Sequence, residues 1–152
     1  KRERIMSLSM LAHLLSVGLM MAALALPVFI ITLYLGGWRF GMPLTDDTPL
    51  YFQATAAVYA TLVFCQLANV FSCRSDKESI FRIGIFSNKW LLYSEVVSFI
   101  MLWMMMDFPP INRAFHTLNP PLISWGLIVA SFFIFLIIFE TRKKIVRTRE
   151  GK

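Results

Sequence analysis

The sequence predicts an all-α, polytopic membrane protein: a bundle of four transmembrane helices with both chain ends in the cytoplasm. Two observations predict this class, namely four long apolar stretches and a strong asymmetry of positive charge. Of the 152 residues, 57% are hydrophobic, and the formal net charge is +6. A bilayer core of about 30 Å requires about 20 mostly apolar residues in one helix. We therefore place spans at residues 11–35, 51–72, 90–107 and 122–139, within a single membrane domain comprising residues 1–152.

Positive charge is concentrated on one side of these spans. Thirteen of the fifteen Lys and Arg residues fall in the N-terminal segment, the connection between spans two and three, and the C-terminal tail, and only Arg39 and Arg113 fall in the other two connections. Short loops rich in Lys and Arg stay in the cytoplasm, so both termini are predicted to be cytoplasmic. We expect this charge to contact anionic membrane lipids. No basic stripe with stacking aromatic residues indicates a nucleic acid partner.

The first span contains Pro27, which predicts a kink, and Gly36-Gly37 ends it. Asp47 or Thr48 can cap the second helix, because both residue types accept hydrogen bonds from free N–H groups at a helix start. The connection that follows contains an apolar stretch, residues 79–86, which is predicted to lie along the inner membrane interface.

Proline marks both ends of the connection between spans three and four. Pro109-Pro110 is predicted to end span three. Pro120-Pro121 suits the start of span four, because proline fits the first turn of a helix.

The chain begins with Lys1 rather than Met. We expect a piece of a longer protein, although processing would give the same start.

Three polar side chains near the inner end of the bundle are the candidate site. Gln66 and Asn69 are separated by three positions, so they share one face of the second span. Glu95 lies about five residues into the third span from the same side. The three can meet in one layer if these faces pack together. Amide and carboxylate oxygens are the ligands that hard cations require.

A purely structural role is the alternative for each of these residues. Gln and Asn in transmembrane helices commonly hydrogen bond to a neighbouring helix. Glu95 is more unusual, because a carboxylate inside a membrane is costly. It can reach the interface, pair with Lys89, or contact an ion.

The remaining chemistry-bearing residues carry weaker signals. Cys65 and Cys73 are eight positions apart on one predicted helix, about 12 Å, so they cannot bridge each other. We interpret both as reduced structural residues. His13 and His116 fall on opposite sides of the predicted membrane and cannot share a metal ion.

Several short motifs resemble the type II P-type cation-transporting ATPases, most of all the sodium/potassium-pump-like and calcium-pump-like bacterial members. QLAN, CRS, ESIFR and FSNK occur in that order over residues 66–89 and resemble the eighth helix, the following loop and the start of the ninth helix. ERIMS near the N-terminus resembles the approach to the seventh helix. PPLISW and FETRKKIVR resemble the entry and exit of the tenth. The resemblance covers essentially the whole chain and implies helices seven to ten of such a pump, in an integral membrane protein of the plasma membrane.

The resemblance implies a supporting role in ATP-driven transport of Ca²⁺, Na⁺ or K⁺. The chain lacks the phosphorylation motif DKTGT, so no catalytic residue and no cofactor is expected in it. ATP and Mg²⁺ would act in the parent enzyme. The expected partners are the remaining transmembrane helices and the cytoplasmic domains of that parent. Calcium pumps place a Glu where Gln66 falls, and sodium/potassium pumps place an Asp where Asn69 falls, so both are implied cation ligands or their neighbours.

The ninth-helix Glu of sodium/potassium pumps falls near Val97 or Ser98, so Glu95 is only a nearby candidate. The alternative to a pump is a self-contained four-span accessory protein or a small permease subunit that uses the same polar residues only between helices. A membrane enzyme lacks any cluster of acid, base or nucleophile to support it. A reading frame that extends upstream into DKTGT would favour the pump, whereas a start codon at the native locus would favour the accessory protein.

Overall fold

The computed structural model describes residues 8–73 and 88–150, and within them the chain forms five helices and no strand. They are α1 (Leu8–Leu35), α2 (Pro49–Ser72), α3 (Lys89–Asp107), α4 (Pro109–Phe115) and α5 (Leu122–Glu150). All except α4 are long and apolar enough to cross a membrane. The predicted all-α, four-span class is confirmed. The apolar stretch at residues 79–86, predicted to lie along the interface, falls outside the described residues.

Each of the four predicted spans lies within one of the long helices. Two features of the helices were not predicted from the sequence. Helix α5 continues past the predicted end of span four at Phe139 and reaches Glu150. Good helix formers such as Arg142 and Lys143 follow Phe139, and Gly151 is the first glycine after the apolar segment. The limit of apolar character therefore did not mark the end of the helix.

The second missed feature is the short helix α4. Proline does end α3, as predicted, but Pro109 and Pro110 also occupy the first positions of α4. Proline is tolerated there because the first N–H groups of a helix have no partner within the helix. Helix α4 ends at His116, whose positive φ of 50° reverses the chain direction toward α5.

The long helices alternate in direction, which gives the bundle two distinct ends. At one end, which we call the loop end, lie the connections formed by residues 36–48 and 108–121. At the other end, the terminal end, α1 begins and α5 finishes its membrane crossing. Two ring contacts show this arrangement. Phe29 of α1 packs on Tyr51 of α2 near the loop end, and His13 of α1 packs on Phe139 of α5 near the terminal end.

Helix α2 is the centre of the bundle, and its start is well defined. Thr48 caps it and accepts a hydrogen bond from the Tyr51 N–H at 3.3 Å, as predicted. Helix α2 packs extensively against both α1 and α5, and it also contacts α3. Small residues on α2 make this close approach possible, since five alanines are fully buried: Ala54, Ala56, Ala57, Ala60 and Ala68.

Two clusters of buried apolar side chains hold the helices together. The first lies toward the loop end and joins all four long helices through Val28, Ala56, Ala57, Ala60, Leu102, Met106 and Ile128. The second lies toward the terminal end and joins α1, α2 and α5 through Val17, Met21, Cys65, Ala68, Phe135 and Phe139. Helix α3 therefore packs on the bundle mainly through its loop-end half.

Many large apolar side chains remain on the outside of the bundle. They include Leu15, Leu19 and Leu26 on α1, which are 61% to 74% exposed. A monomeric water-soluble protein seldom exposes so large an apolar surface. In a membrane, lipid tails or further helices can cover it without a hydrophobic penalty.

Candidate cation-binding surface

One face of α2 is not covered by the other described helices. Tyr59, Leu62, Gln66 and Cys73 are all exposed. Their spacing of three, four and seven positions places them in a single stripe along the helix. We call these four residues the open stripe of α2. The buried residues of α2, such as Thr61, Cys65 and Ala68, lie on the other side, against the neighbouring helices.

Gln66 lies within the open stripe, inside the apolar length of α2. Its side chain is exposed and has no hydrogen-bond partner among residues 8–73 and 88–150. A primary amide that faces hydrocarbon loses its hydrogen bonds to water, and this loss is costly. The position of Gln66 is therefore favourable only if another polar group or an ion meets it.

Asn69 borders the open stripe one turn closer to the terminal end. It is half-buried, and its Oδ1 accepts a hydrogen bond from the Cys73 thiol at 3.4 Å. In the same turn of the helix, the Cys73 backbone N–H donates a hydrogen bond of 2.8 Å to the Asn69 carbonyl. The Asn69 amide oxygen thus accepts one weak hydrogen bond, and its second lone pair can bind another group.

Glu95 lies on a different surface from Gln66. It is 9% exposed and shares a face of α3 with Phe99, Leu102 and Met106, which pack toward the interior of the bundle. The described part of the chain contains no ion pair between Glu95 and Lys89. No hydrogen bond among described residues joins any two of Gln66, Asn69 and Glu95. Gln66 and Asn69 thus lie in one region of α2, and the proposal that Glu95 shares a cation site with them stays a prediction.

The described residues offer no group of three or more His, Cys, Asp or Glu side chains that could hold a metal ion. His13 and His116 lie at opposite ends of the bundle, against Phe139 and Phe52 respectively. Any cation that met Gln66 would therefore need most of its ligands from outside this part of the chain.

Sequence reasoning missed a polar network at the loop end. The Asn119 amide donates to Asp107 Oδ1 at 3.3 Å, and the Trp125 indole N–H donates to Asn119 Oδ1 at 3.2 Å. The Gln53 amide donates to the Asn119 carbonyl at 3.3 Å. Each residue looked unremarkable alone, because Asp107 ends one span and Asn119 precedes a proline pair. Only the folding of α3 back toward α5 through α4 brings them together.

The fold and its exposed apolar surface define an integral membrane protein, a helical bundle that crosses the membrane four times. The family model for the C-terminus of cation-transporting ATPases matches residues 1–145. The chain belongs to this family and is a C-terminal transmembrane domain of the P-type ATPase kind, as its motifs predicted.

Several calcium-transporting ATPases are similar to the chain. The chain is 34% identical over 98 residues to Calcium-transporting ATPase 1 of Bacillus cereus, which covers 64% of this chain and 11% of the relative. It is 29% identical over 96 residues to Calcium-transporting ATPase type 2C member 1 of Pongo abelii, or 63% of this chain and 10% of the relative. The Calcium-transporting ATPase of Bacillus subtilis is 34% identical over 76 residues, 50% of this chain and 8% of the relative.

The chain thus spans about a tenth of the length of the first two relatives. Membership of the family supports a role in a pump over a self-contained accessory protein.

Proposed function

We propose that this chain is the C-terminal membrane portion of a Ca²⁺-transporting P-type ATPase. In this role it supports the transport helices and contributes amide oxygens of Gln66 and Asn69 to the cation site or its border. The remaining transmembrane helices and the cytoplasmic domains of the pump are its partners. The named relatives, which are calcium transporters in both bacteria and mammals, support Ca²⁺ rather than Na⁺ or K⁺.

The observation that carries this proposal is the exposed amide of Gln66 on the open stripe of α2. The stripe is an apolar surface with one amide inside it, and further helices packed there would both bury the apolar groups and meet the amide. A Ca²⁺ ion takes six to eight oxygen ligands, and side-chain amides are among them. Because Gln66 and Asn69 are neutral, the carboxylates that balance the charge of the ion would come from the other helices.

ATP and Mg²⁺ would bind in the cytoplasmic domains of the parent pump, where they supply the phosphoryl group and its neutralising charge. None of the residues described here takes part in that chemistry.

The proposed location is the cell membrane, with both ends of this chain in the cytoplasm because of the positive charge beside them.

The proposal is tested by ATP hydrolysis of the full-length pump, measured against Ca²⁺, Na⁺ and K⁺ in turn. We expect Ca²⁺ to activate. The Gln66→Ala variant should need about fivefold more Ca²⁺ for half-maximal activity, since losing one neutral ligand costs about 1 kcal/mol. Asn69→Ala should show a shift in the same direction.

The matched control is Gln53→Ala, which removes the same side chain from the same helix near the loop end, where Gln53 binds the Asn119 carbonyl. Its Ca²⁺ dependence should be unchanged. Activation by Na⁺ or K⁺ alone would contradict the choice of ion. Equal Ca²⁺ dependence of all three variants and the unaltered pump would reduce Gln66 and Asn69 to packing residues. A Glu95→Gln variant with lowered affinity would instead assign the ligand role to α3.

A further inference from the structure

A cleft of about 170 Å³ lies between α2, α3 and α5 in the loop-end half of the bundle. Its walls are largely apolar and aromatic, formed by Phe64 of α2, Phe99 and Trp103 of α3, and Trp125 of α5. An apolar cavity of about 150 Å³ is large enough to hold a benzene-sized molecule. The cleft can therefore accept a short length of hydrocarbon chain.

The cleft opens toward the outside of the bundle and not only into its core. Trp103 lines it and is 64% exposed, and Phe99 is only partly buried. Lipid tails can cover such an exposed apolar surface in a bilayer. A tail can thus reach the cleft without any rearrangement of the helices.

A carboxylate lies at the edge of the cleft where the membrane span ends. Asp107 is the last residue of α3, is exposed, and lines the cleft together with Asn119. The Asn119 amide donates to Asp107 Oδ1, and Asn119 is itself held by the Trp125 N–H. Asp107 Oδ2 has no hydrogen-bond partner among the described residues, so it can accept one from a ligand.

We propose that this cleft binds one phospholipid with a primary ammonium headgroup, phosphatidylethanolamine. Its hydrocarbon tail lies against Phe64, Phe99 and Trp103, and its ammonium donates to Asp107. A phospholipid carries its charged group at the interface and its tail within the hydrocarbon region, and Phe99, Trp103 and Asp107 follow in that direction along α3, with Asp107 at its end.

The chemistry of Asp107 selects among headgroups. A primary ammonium offers three N–H donors and a positive charge, and bonds between two ionised groups are the stronger class of hydrogen bond. The quaternary ammonium of phosphatidylcholine has the charge but no N–H. Phosphatidylglycerol has a net negative charge and no cation, so the carboxylate repels it. The site therefore favours phosphatidylethanolamine over both.

The test uses the full chain purified and reconstituted in phosphatidylcholine bilayers. Trp38 and Trp90 are replaced by Phe, so that the two remaining emitters, Trp103 and Trp125, both line the cleft. Phosphatidylethanolamine or phosphatidylcholine with brominated tails is then added in increasing fractions, and quenching of the tryptophan emission gives the relative association constant. We expect a constant about fivefold higher for phosphatidylethanolamine, equivalent to about 1 kcal/mol.

Asp107→Asn should abolish this preference, and Asp107→Glu should keep it. Asp47→Asn, which removes a carboxylate from the other loop-end connection, is the matched control and should have no effect. A headgroup series with one, two and three N-methyl groups tests the same claim in the unaltered chain, and the preference should fall as N–H donors are lost. Equal quenching by both lipids, or a preference that survives Asp107→Asn or full methylation, would overturn the proposal. Neither result bears on the calcium-pump assignment.

Discussion

Thr32 and Ser124 show how the bundle accommodates polar side chains at residue scale. Both are fully buried, and their hydroxyl oxygens lie 2.9 Å apart in a hydrogen bond between α1 and α5. Each hydroxyl satisfies the other, so neither pays the full cost of leaving water. Gln66 is the opposite case, because its amide is exposed on the open stripe and lacks a described partner.

The Thr32–Ser124 hydrogen bond should contribute measurably to stability. We expect Thr32→Val and Ser124→Ala each to lower the free energy of unfolding, and the double variant to lose less than the sum. The coupling energy should be about 0.6 kcal/mol, the average for such bonds between membrane helices. Reversible unfolding of the purified chain in mixed micelles measures it. Strictly additive losses would show that the two hydroxyls do not stabilise each other.

The candidate residues could be found from the sequence, but their surroundings could not. Amides inside an apolar segment stand out because they are costly there, and this identified Gln66 and Asn69. Which side of α2 stays open depends on where α1, α3 and α5 pack, and that information is spread over the whole chain. For the same reason, the sequence did not show that Glu95 faces the interior or that Asp107 meets Asn119.

At the scale of elements, α2 organises the bundle because its packing face is made of small residues. Ala56, Ala57 and Ala60 are fully buried, so the neighbouring helices approach the α2 backbone closely. Small residues serve this purpose in membrane helices, where close packing replaces the hydrophobic effect as the driving force. The opposite face carries the larger side chains Tyr59 and Leu62.

A larger side chain at the packing face should therefore disrupt the bundle. Ala60→Leu is expected to lower the free energy of unfolding by about 1–3 kcal/mol, because the added carbons have no space. Leu62→Ala, two positions away on the open stripe, is the control and should change it by less than about 0.5 kcal/mol. Unfolding of the isolated chain in micelles measures both. Similar effects of the two substitutions would contradict the packing described for α2.

The lengths of the helices show what apolar patterning can and cannot predict. Four apolar segments of sufficient length predicted α1, α2, α3 and α5, because the bilayer thickness sets a minimum length that few other structures meet. The same criterion cannot detect a helix that continues into a charged segment, as α5 does. It also cannot detect α4, which is shorter than any span and begins at the proline pair that ends α3.

At the scale of the whole molecule, the alternating helices place the two loop-end connections on one side of the membrane. The positive charge predicts that this side is external. The assignment of residues 1–152 to a single membrane domain stays a prediction, as does the orientation of the two ends.

The orientation is tested with a cysteine placed at the loop end. In a background with Cys65 and Cys73 replaced by Ser, Asp46→Cys should react with a membrane-impermeant thiol reagent added outside intact cells. Lys152→Cys should react only after the cells are opened, because the positive charge predicts that the C-terminal end is cytoplasmic. The reverse pattern, or equal reaction of both, would contradict the predicted topology.

The central claim is that the open stripe of α2 completes a calcium site in a larger pump. Equilibrium binding of radioactive Ca²⁺ to the purified full-length pump, without ATP, tests this claim most directly. The account predicts that Gln66→Ala raises the dissociation constant about fivefold and that Gln66→Glu, which adds a negative charge, lowers it, with Gln53→Ala unchanged. Identical binding curves for Gln66→Ala, Gln66→Glu and the unaltered pump would contradict it.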